Sequence, residues 1–445
     1  MFRAQTCPVG SKEKSMKRIL LQAMCILLLG MNANAQINSG SNGTDGVFNP
    51  TTNIVINMAD HPTGIYQYTS VNISNGVTVT FIPNANNSPV TWLVQSNVVI
   101  NGTVDLSGKN CNGAQGGLGG PGGYSGGFGG SGSYPISSSG LGAGGGPAGY
   151  FVNSSNFFCA GQASFGTVGG QSFGISGYSN FQSQGQAVPG SVYGNKYLLP
   201  LVGGSGGGGL GNTGGGGGGG AILIAANGNI SINSPGTISA NGGSGVWDIY
   251  GYVTQLAGMG GGGSGGAIRL VSAVIAGNGG ISVGGGQGLS GYFYNSFYQS
   301  WFGSANNAGN GRIRFDTYQN NYGGSISGAF TFGAQFVIVP ITGQIPQLTV
   351  TSIGGIAVSA SPAGALSTPD AVLSAQQNNP IPVVVSCANL PLNTQITVSV
   401  KPSYGTAVTA TGYNTTGTLV SSTATISIVI PRGGGLIYAT AATAN

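Results

Sequence analysis

The stretch AILIAANGNISINSPGTISANGG (Ala221–Gly243) decides the fold of this chain, because similar stretches occur three more times. The other copies are VTWLVQSNVVINGTVDLSG (Val90–Gly108), AIRLVSAVIAGNGGISVGGG (Ala267–Gly286) and RIRFDTYQNNYGGSISG (Arg312–Gly328). Each copy indicates a strand, a turn, a second strand, a turn and a short third strand, because β-branched residues alternate with Asn/Gly turns. Repeats of roughly 20 residues with this pattern are typical of solenoids.

Aligning the copies predicts which side chains face the interior. The first strands align Ile222 and Ile224 with Ile268 and Leu270, then with Ile313 and Phe315. The second strands align Val98 and Ile100 with Ile230 and Ile232, and the third strands align Val104 and Leu106 with Ile238 and Ala240, then with Ile281 and Val283. Stacking of like residues predicts in-register parallel strands around a continuous core. We therefore predict an all-β right-handed parallel β-helix over residues 36–345, because crossover connections are right-handed by default.

Three glycine-rich and aromatic insertions interrupt this solenoid at residues 109–220, 244–266 and 287–311. All three follow the third strand of their copy, so we expect them to leave from one edge and to lie side by side. Residues 36–89 alternate apolar and polar side chains and are expected to form the first coils and a cap. The run GGLGGPGGYSGGFGGSG (residues 116–132) either packs as polyproline II strands or stays flexible.

From about residue 346 the glycine runs stop, and period-two segments with turns every 8 to 12 residues follow. This spacing predicts a small immunoglobulin-like β-sandwich at residues 346–445.

The amino terminus has the pattern of a signal peptide over residues 1–35, with Met16 as an alternative start. Lys17 and Arg18 precede an apolar run that ends at Leu29, and Ala33-Asn34-Ala35 is typical of a cleavage site. We therefore expect a secreted protein at the cell surface or outside the cell, without a transmembrane segment after cleavage. The remaining chain has a net charge of about +1, which argues against a nucleic-acid partner.

The run Val71–Gly108 and the GGLGGPGG that follows it resemble the glycine-rich β-helix proteins exported by environmental bacteria. More broadly, residues 45–330 resemble pectin-lyase-like and adhesin-type solenoids, and the C-terminal part resembles immunoglobulin-like modules of bacterial surface proteins. The resemblance implies the fold and a surface or secreted location, and it assigns no chemistry.

Catalytic residues are scarce. After the leader the chain has no glutamate and six dispersed aspartates, whereas sugar cleavage usually needs paired carboxylates. Asp105 is expected to hydrogen-bond beside a turn, and Asp248, within an aromatic segment, is the acid that we would test first. His61 is the single histidine and is expected to be a loop residue. We therefore predict no catalytic residue, no metal site and no cofactor.

Aromatic residues in the second and third insertions are the candidate binding residues, because Tyr and Trp suit protein interfaces and stacking on sugar rings. The candidates are Trp247, Tyr250, Tyr252, Tyr292, Tyr294, Tyr298 and Trp301. The alternative is that the aromatic rings of the insertions pack against the solenoid as small additional cores.

Cys111 and Cys159 both lie in the first insertion, and export would permit a disulfide between them. Cys387, within VVVSCANL, is expected to be a small buried apolar side chain.

Three functions follow from these features. The first is a non-enzymatic adhesin or extracellular matrix protein whose loops bind a glycan or a protein surface. The second is a subunit of an extracellular fibre that self-associates by β-strand addition. The third is a polysaccharide-active enzyme, because the β-helix fold also supports such enzymes.

Overall fold

The computed structural model describes residues 37–130, 137–153, 156–158, 160–173, 186–211, 213–245, 260–288, 293–295, 300–302, 307–334, 336, 346–359, 362, 369–402 and 407–442. The predicted signal peptide at 1–35 lies outside the described residues.

The described residues are almost entirely strands and connecting segments. The first part contains β1 (Gly46–Phe48), β2 (Ile54–Asn57), a 3₁₀ turn (Met58–Asp60), β3 (Ile65–Ile73), β4 (Thr78–Ile82), β5 (Val90–Val94), β6 (Val98–Ile100) and β7 (Thr103–Asp105). The middle part contains β8 (Tyr150–Asn153), β9 (Asn156–Phe158), β10 (Ser172–Phe173), β11 (Gln186–Ala187), β12 (Ala221–Ala226), β13 (Ile230–Ile232), β14 (Thr237–Ser239), β15 (Ala267–Val271), β16 (Val274–Gly277), β17 (Gly280–Ser282), β18 (Phe293–Asn295) and β19 (Ser300–Phe302). The last part contains β20 (Arg312–Asp316), β21 (Gln319–Tyr322), β22 (Ser325–Ser327), β23 (Ala329–Gly333), β24 (Gln347–Ile353), β25 (Ile356–Ala357), β26 (Ile381–Ala388), β27 (Gln395–Pro402), β28 (Val408–Tyr413), β29 (Thr416–Gly417), β30 (Ser421–Ile428) and β31 (Gly435–Ala442).

Each of the four repeats contributes one strand to each of three parallel ladders. The first ladder runs in the order β3-β5-β12-β15-β20-β23, and the second in the order β3-β6-β13-β16-β21, with β1 also paired to β3. The third ladder runs in the order β2-β4-β7-β14-β17-β22. Strand β3 pairs with both β5 and β6, so it joins the first two ladders into one sheet. The repeats therefore stack in chain order in a solenoid-like way.

The register of the ladders confirms the alignment of the repeats. Ile222 pairs with Ile268, which pairs with Ile313, and the same holds for Ile224, Leu270 and Phe315. In the second ladder Val98 pairs with Ile230 and Ile100 with Ile232, and in the third Val104, Ile238 and Ile281 form one column. These columns form one continuous core of buried apolar side chains.

The inner strands β5, β12 and β15 of the first ladder are buried on both faces. In β15, Ile268 and Leu270 point into the main core, whereas Ala267 and Val271 belong to separate clusters on the other face. Parts of the first insertion supply the cover for that face, including Phe165, Tyr193, Leu198, Leu201 and Val202. Every residue of these three strands is therefore buried, instead of every second residue as in a strand with one exposed face.

The C-terminal residues form antiparallel sheets with a core of their own. One sheet has the order β25-β24-β26-β30-β29, and the other has the order β28-β27-β31. Val385 of the first sheet and Val398 of the second lie in the same buried cluster. Cys387 is also fully buried there, as expected, and burial raises the pKa of its thiol.

Candidate functional site

The three insertions all leave the parallel ladders after the third strand of a repeat and return to the first strand of the next, as predicted. They connect β7 to β12, β14 to β15 and β17 to β20. Their glycine runs pack together at residues 106–129, 138–149, 203–209, 214–220, 241–245, 260–266 and 285–286, which we call the glycine bundle.

Segment 214–220 lies at the centre of the glycine bundle and hydrogen-bonds with a period of three residues. Its backbone N–H groups donate in rotation to three neighbouring segments. Gly214, Gly217 and Gly220 donate to the carbonyls of Gly113, Lys109 and Leu106; Gly215 and Gly218 donate to Gly127 and Tyr124; Gly216 and Gly219 donate to Gly261 and Ser264. Three residues per turn without hydrogen bonds inside the segment is the pattern of a polyproline II helix. In the first glycine run, Gly117 and Gly120 donate to the carbonyls of Gly215 and Gly218, so its described residues, 116–130, are packed against segment 214–220.

Glycine is required here because the backbones touch. A Cβ built on Gly217 would lie 2.1 Å from the carbonyl oxygen of Leu118, and one on Gly263 would lie 2.1 Å from that of Gly217. No side chain fits at such distances, so each segment contacts its neighbours through bare backbone.

The glycine bundle brings together the residues at which the three insertions begin and end. Gly214 donates to the carbonyl of Gly113 (2.8 Å), and a Cβ on Gly260 would lie 2.0 Å from the Gly214 carbonyl oxygen. Ser244 links all three insertions. Its backbone N–H donates to Asn110 Oδ1 (2.8 Å), and its Oγ accepts a hydrogen bond from the backbone N–H of Gln287 (3.1 Å). The segments that carry the candidate aromatic residues therefore start from neighbouring positions.

Most of the candidate binding residues lie outside the described residues: Trp247, Tyr250, Tyr252, Tyr292 and Tyr298, together with Asp248. Tyr294 and Trp301 lie on the antiparallel hairpin formed by β18 and β19, where they are directly paired. The structure thus brings together these two residues of the predicted set.

The predicted disulfide stays a prediction. Cys111 is buried, and its backbone N–H donates to the carbonyl of Ser244 (3.1 Å). Cys159 lies outside the described residues.

Aromatic rings of the first insertion pack on the outer face of the first ladder. These residues were not among the candidates predicted from the sequence. Phe165 and Tyr193 are in contact with ring centroids 4.6 Å apart, and the guanidinium of Arg312 lies 5.8 Å from the Phe165 ring centroid. Burial raises the pKa of the Tyr193 hydroxyl, which donates to the carbonyl of Gly203 (2.6 Å). These rings match the alternative in which aromatic residues form additional cores.

A buried charge network lies on the same face. Asp316 accepts hydrogen bonds from Arg269 Nε (3.0 Å) and from Arg314 Nη2 (2.7 Å). All three side chains are buried, and the Arg314 guanidinium lies 5.2 Å from the Tyr197 ring centroid. Burial lowers the pKa of Arg269, an effect that the charge of Asp316 opposes. In the sequence, the stretch RIRFD (Arg312–Asp316) of the fourth repeat indicates that charged residues lie close together on one strand. The sequence does not show that this face of the strand is covered.

Asp105 and Asp316 do not form a carboxylate pair, because they lie in different ladders. Asp105 accepts the backbone N–H of Ser107 (2.9 Å), as expected for a residue beside a turn. It lies in the third ladder, whereas Asp316 lies in the first. His61 Nε2 lies 3.3 Å from Asp45 Oδ1, and its ring stacks on Tyr66. Burial is the main cause that raises the pKa of Tyr66 to about 12.

Among the described residues, no group of three or more His, Cys, Asp or Glu side chains could hold a metal ion. Within the same residues, no helix has the length and apolar character needed to cross a membrane.

Comparisons with known proteins identify no family: no family model matches the chain, and no curated protein or solved structure matches it.

Proposed function

We propose that this protein is a secreted, non-enzymatic adhesin or extracellular matrix protein. Its parallel strands form a right-handed β-helix, the expected hand for such crossovers, and residues 346–445 form an immunoglobulin-like β-sandwich. The resemblance to adhesin-type solenoids and the predicted leader support an extracellular or cell-surface location.

One observation carries this proposal: the first residues of the three insertions lie together, because Ser244 hydrogen-bonds with both Asn110 and Gln287. Two of the segments that start there carry seven Tyr and Trp candidates, and the hairpin β18–β19 pairs Tyr294 with Trp301. Such rings bind sugar faces or apolar protein surfaces by stacking, with little loss of side-chain entropy. The ligand is a glycan or a protein surface.

A non-enzymatic role is favoured over a polysaccharide-active enzyme by the state of Asp105 and Asp316, two of the described aspartates. Asp316 is held by two arginines, and Asp105 is engaged with a backbone N–H in another ladder. Glycoside hydrolysis normally places two carboxyl groups on either side of the scissile bond.

Binding of the secreted chain to an array of glycans and surface proteins tests the proposal. Replacing Trp301 with Ala is expected to reduce binding at least tenfold, because truncating a stacked aromatic side chain at the centre of an interface typically costs about 2 kcal/mol or more. Tyr413→Ala is the matched control, since Tyr413 is an exposed tyrosine of the C-terminal sheets. Unchanged binding by both Trp301→Ala and Tyr294→Ala would contradict the assignment of the site.

Salt dependence gives a second measurement. The chain after the leader has few charges, so binding is expected to change little between about 0.15 and 0.5 M NaCl, where exposed ion pairs are screened. A steep loss of binding over this range would show that charge, rather than ring stacking, drives recognition.

A further inference from the structure

The third ladder has an open edge at each end. Each inner strand pairs on both sides, whereas β2 and β22 each pair with a single strand among the described residues. At the C-terminal end, two hydrogen bonds show which backbone groups of β22 face the preceding coil. The Ser325 N–H donates to the Gly279 carbonyl, and the Ser327 carbonyl accepts from the Val283 N–H. In a parallel strand, the backbone N–H and C=O groups of successive residues point to opposite edges. Those of Ile326 therefore point to the open edge.

The hydrophobic core continues up to both open edges. One column of the third ladder contains Ile54, Val79, Val104, Ile238, Ile281 and Ile326 in successive strands. The four inner residues are buried, whereas Ile326 is half-buried and Ile54 is 37% exposed. The exposure rises at the ends because no further coil covers the column.

The first and second ladders each also have, at one end, a core residue that is not fully covered. Phe332 pairs with Phe315 and extends a core column of the first ladder, yet Phe332 is 66% exposed. At the opposite end of the solenoid, β1 is the outermost strand of the second ladder, and Phe48 on it pairs with the core residue Val71 yet is only half-buried.

None of the end strands carries a charged residue. Their sequences are GVF (β1), IVIN (β2), QNNY (β21), SIS (β22) and AFTFG (β23). Proteins that stay monomeric usually protect open strand edges with Lys, Pro or a covering segment. Uncharged edges beside exposed core residues favour pairing with another strand.

We propose that the C-terminal end of this solenoid binds the N-terminal end of a second copy of the chain. All strands of the third ladder are parallel, so β22 of one copy and β2 of the next run in the same direction. They would pair as β17 and β22 already do, and Ile54 of the next copy would extend the column beyond Ile326. The same pairing places β1 of the next copy against β21. The occupant is a second copy because one chain supplies both edges with matching direction, ladder and core column.

The N-terminal end of the first ladder is closed, and this restricts the contact. Asp45 N–H donates to the Gln67 carbonyl (2.9 Å), and Asp45 Oδ2 accepts the Gln67 N–H (2.5 Å). Strand addition therefore occurs in the second and third ladders, while Phe332 packs over the capped end of the first. The two partners contribute different surfaces, so the contact is head-to-tail and can repeat into a filament.

Sedimentation velocity of the secreted chain over a broad range of concentration tests the proposal, with electron microscopy of the largest species. We expect oligomers that grow with concentration. A wild-type chain that remains monomeric over the whole range would overturn the inference. The glycan and protein array addresses the aromatic hairpin and is independent of this result.

Two end variants test the geometry. Phe332→Asp places a charge at the C-terminal edge, and Ile54→Asp places one at the N-terminal edge, so each variant alone is expected to be monomeric where the wild type assembles. An equimolar mixture is expected to form dimers and nothing longer, because each variant keeps one intact edge. Val372→Asp, at an exposed position outside the ladders, is the matched control and should assemble like the wild type.

Assembly of either end variant to the wild-type extent, or the lack of dimers in the mixture, would overturn the head-to-tail arrangement. Far-ultraviolet circular dichroism checks folding. If a variant is unfolded, Val55→Asp and Phe330→Asp provide a second pair at the same two edges.

Discussion

Asp316 is the residue on which the charge balance of the first ladder depends. Arg269 and Arg314 are directly paired on adjacent strands, an arrangement that is unfavourable for like charges. Asp316 contacts both guanidinium groups from a fully buried position. The ladder register predicts that the two arginines are neighbours, whereas the desolvation of all three groups results from the covering first insertion.

Replacing Asp316 with Asn is expected to lower the free energy of unfolding by about 3–5 kcal/mol, because two buried arginines would lose their counter-charge. Urea denaturation measures this loss. Asp105→Asn is the matched control, since Asp105 lies beside a turn and its side chain accepts one backbone N–H. The control should change the free energy by less than about 0.5 kcal/mol. Equal losses in the two variants would contradict a special role for the network.

At the scale of structural elements, the glycine bundle replaces side-chain packing with backbone packing. Gly207 donates to Gly216, which donates to Gly261, which in turn donates to Gly208 (2.8–2.9 Å). The buried N–H and C=O groups thus find partners without a regular strand or helix. These contacts need several glycine runs at once, so a single run does not reveal them.

Gly217→Ala is expected to lower the free energy of unfolding by about 1–3 kcal/mol, because the alanine Cβ would overlap the carbonyl of Leu118. Gly323→Ala is the control, since a Cβ at this position has no atom within 4 Å and its φ is not positive. Thermal unfolding followed by circular dichroism compares the two. A control as destabilised as Gly217→Ala would show that general loss of glycine, rather than close packing, matters.

At the scale of the whole molecule, Lys401 connects the C-terminal sheets to the glycine bundle. Its Nζ donates to the carbonyl of Gly145, 256 positions away in the sequence. Burial lowers the pKa of Lys401 from 10.5 to about 8. The contact therefore buries an ammonium group whose charged form is disfavoured.

This shift predicts a pH dependence of stability. Between about pH 8 and 10.5 the unfolded chain binds one more proton at Lys401 than the folded chain does, so the free energy of unfolding rises with pH in this window. Below about pH 8 both states are protonated and the penalty is fully present. Relative to Lys401→Met, the wild type should gain stability from pH 8 to 10, as measured by urea denaturation. Lys109→Met, at an exposed lysine, should leave the pH dependence unchanged. A parallel pH profile for the wild type and Lys401→Met would contradict the prediction.

The sequence by itself determined the ladders. Ile222, Ile268 and Ile313 recur at matching positions, and a period-two pattern allows one register in which all of them point inward. It also determined that the insertions leave after the third strand, and it identified the alternating strands of the C-terminal sheets. These features are local, because each depends on a few neighbouring residues repeated along the chain.

Only the tertiary structure decided how the insertions pack and where the solenoid remains open. Gly217 contacts Leu118 and Gly243 through its backbone, and Phe165 packs against Ala221 and Ala267, which lie more than fifty residues later in the chain. Phe332 and Ile54 have the side chains of core residues, yet they are exposed because the neighbouring coil is missing. The physical reason is the same in each case: burial depends on what lies beside a residue in space, and glycine carries no side-chain pattern that would predict its partners.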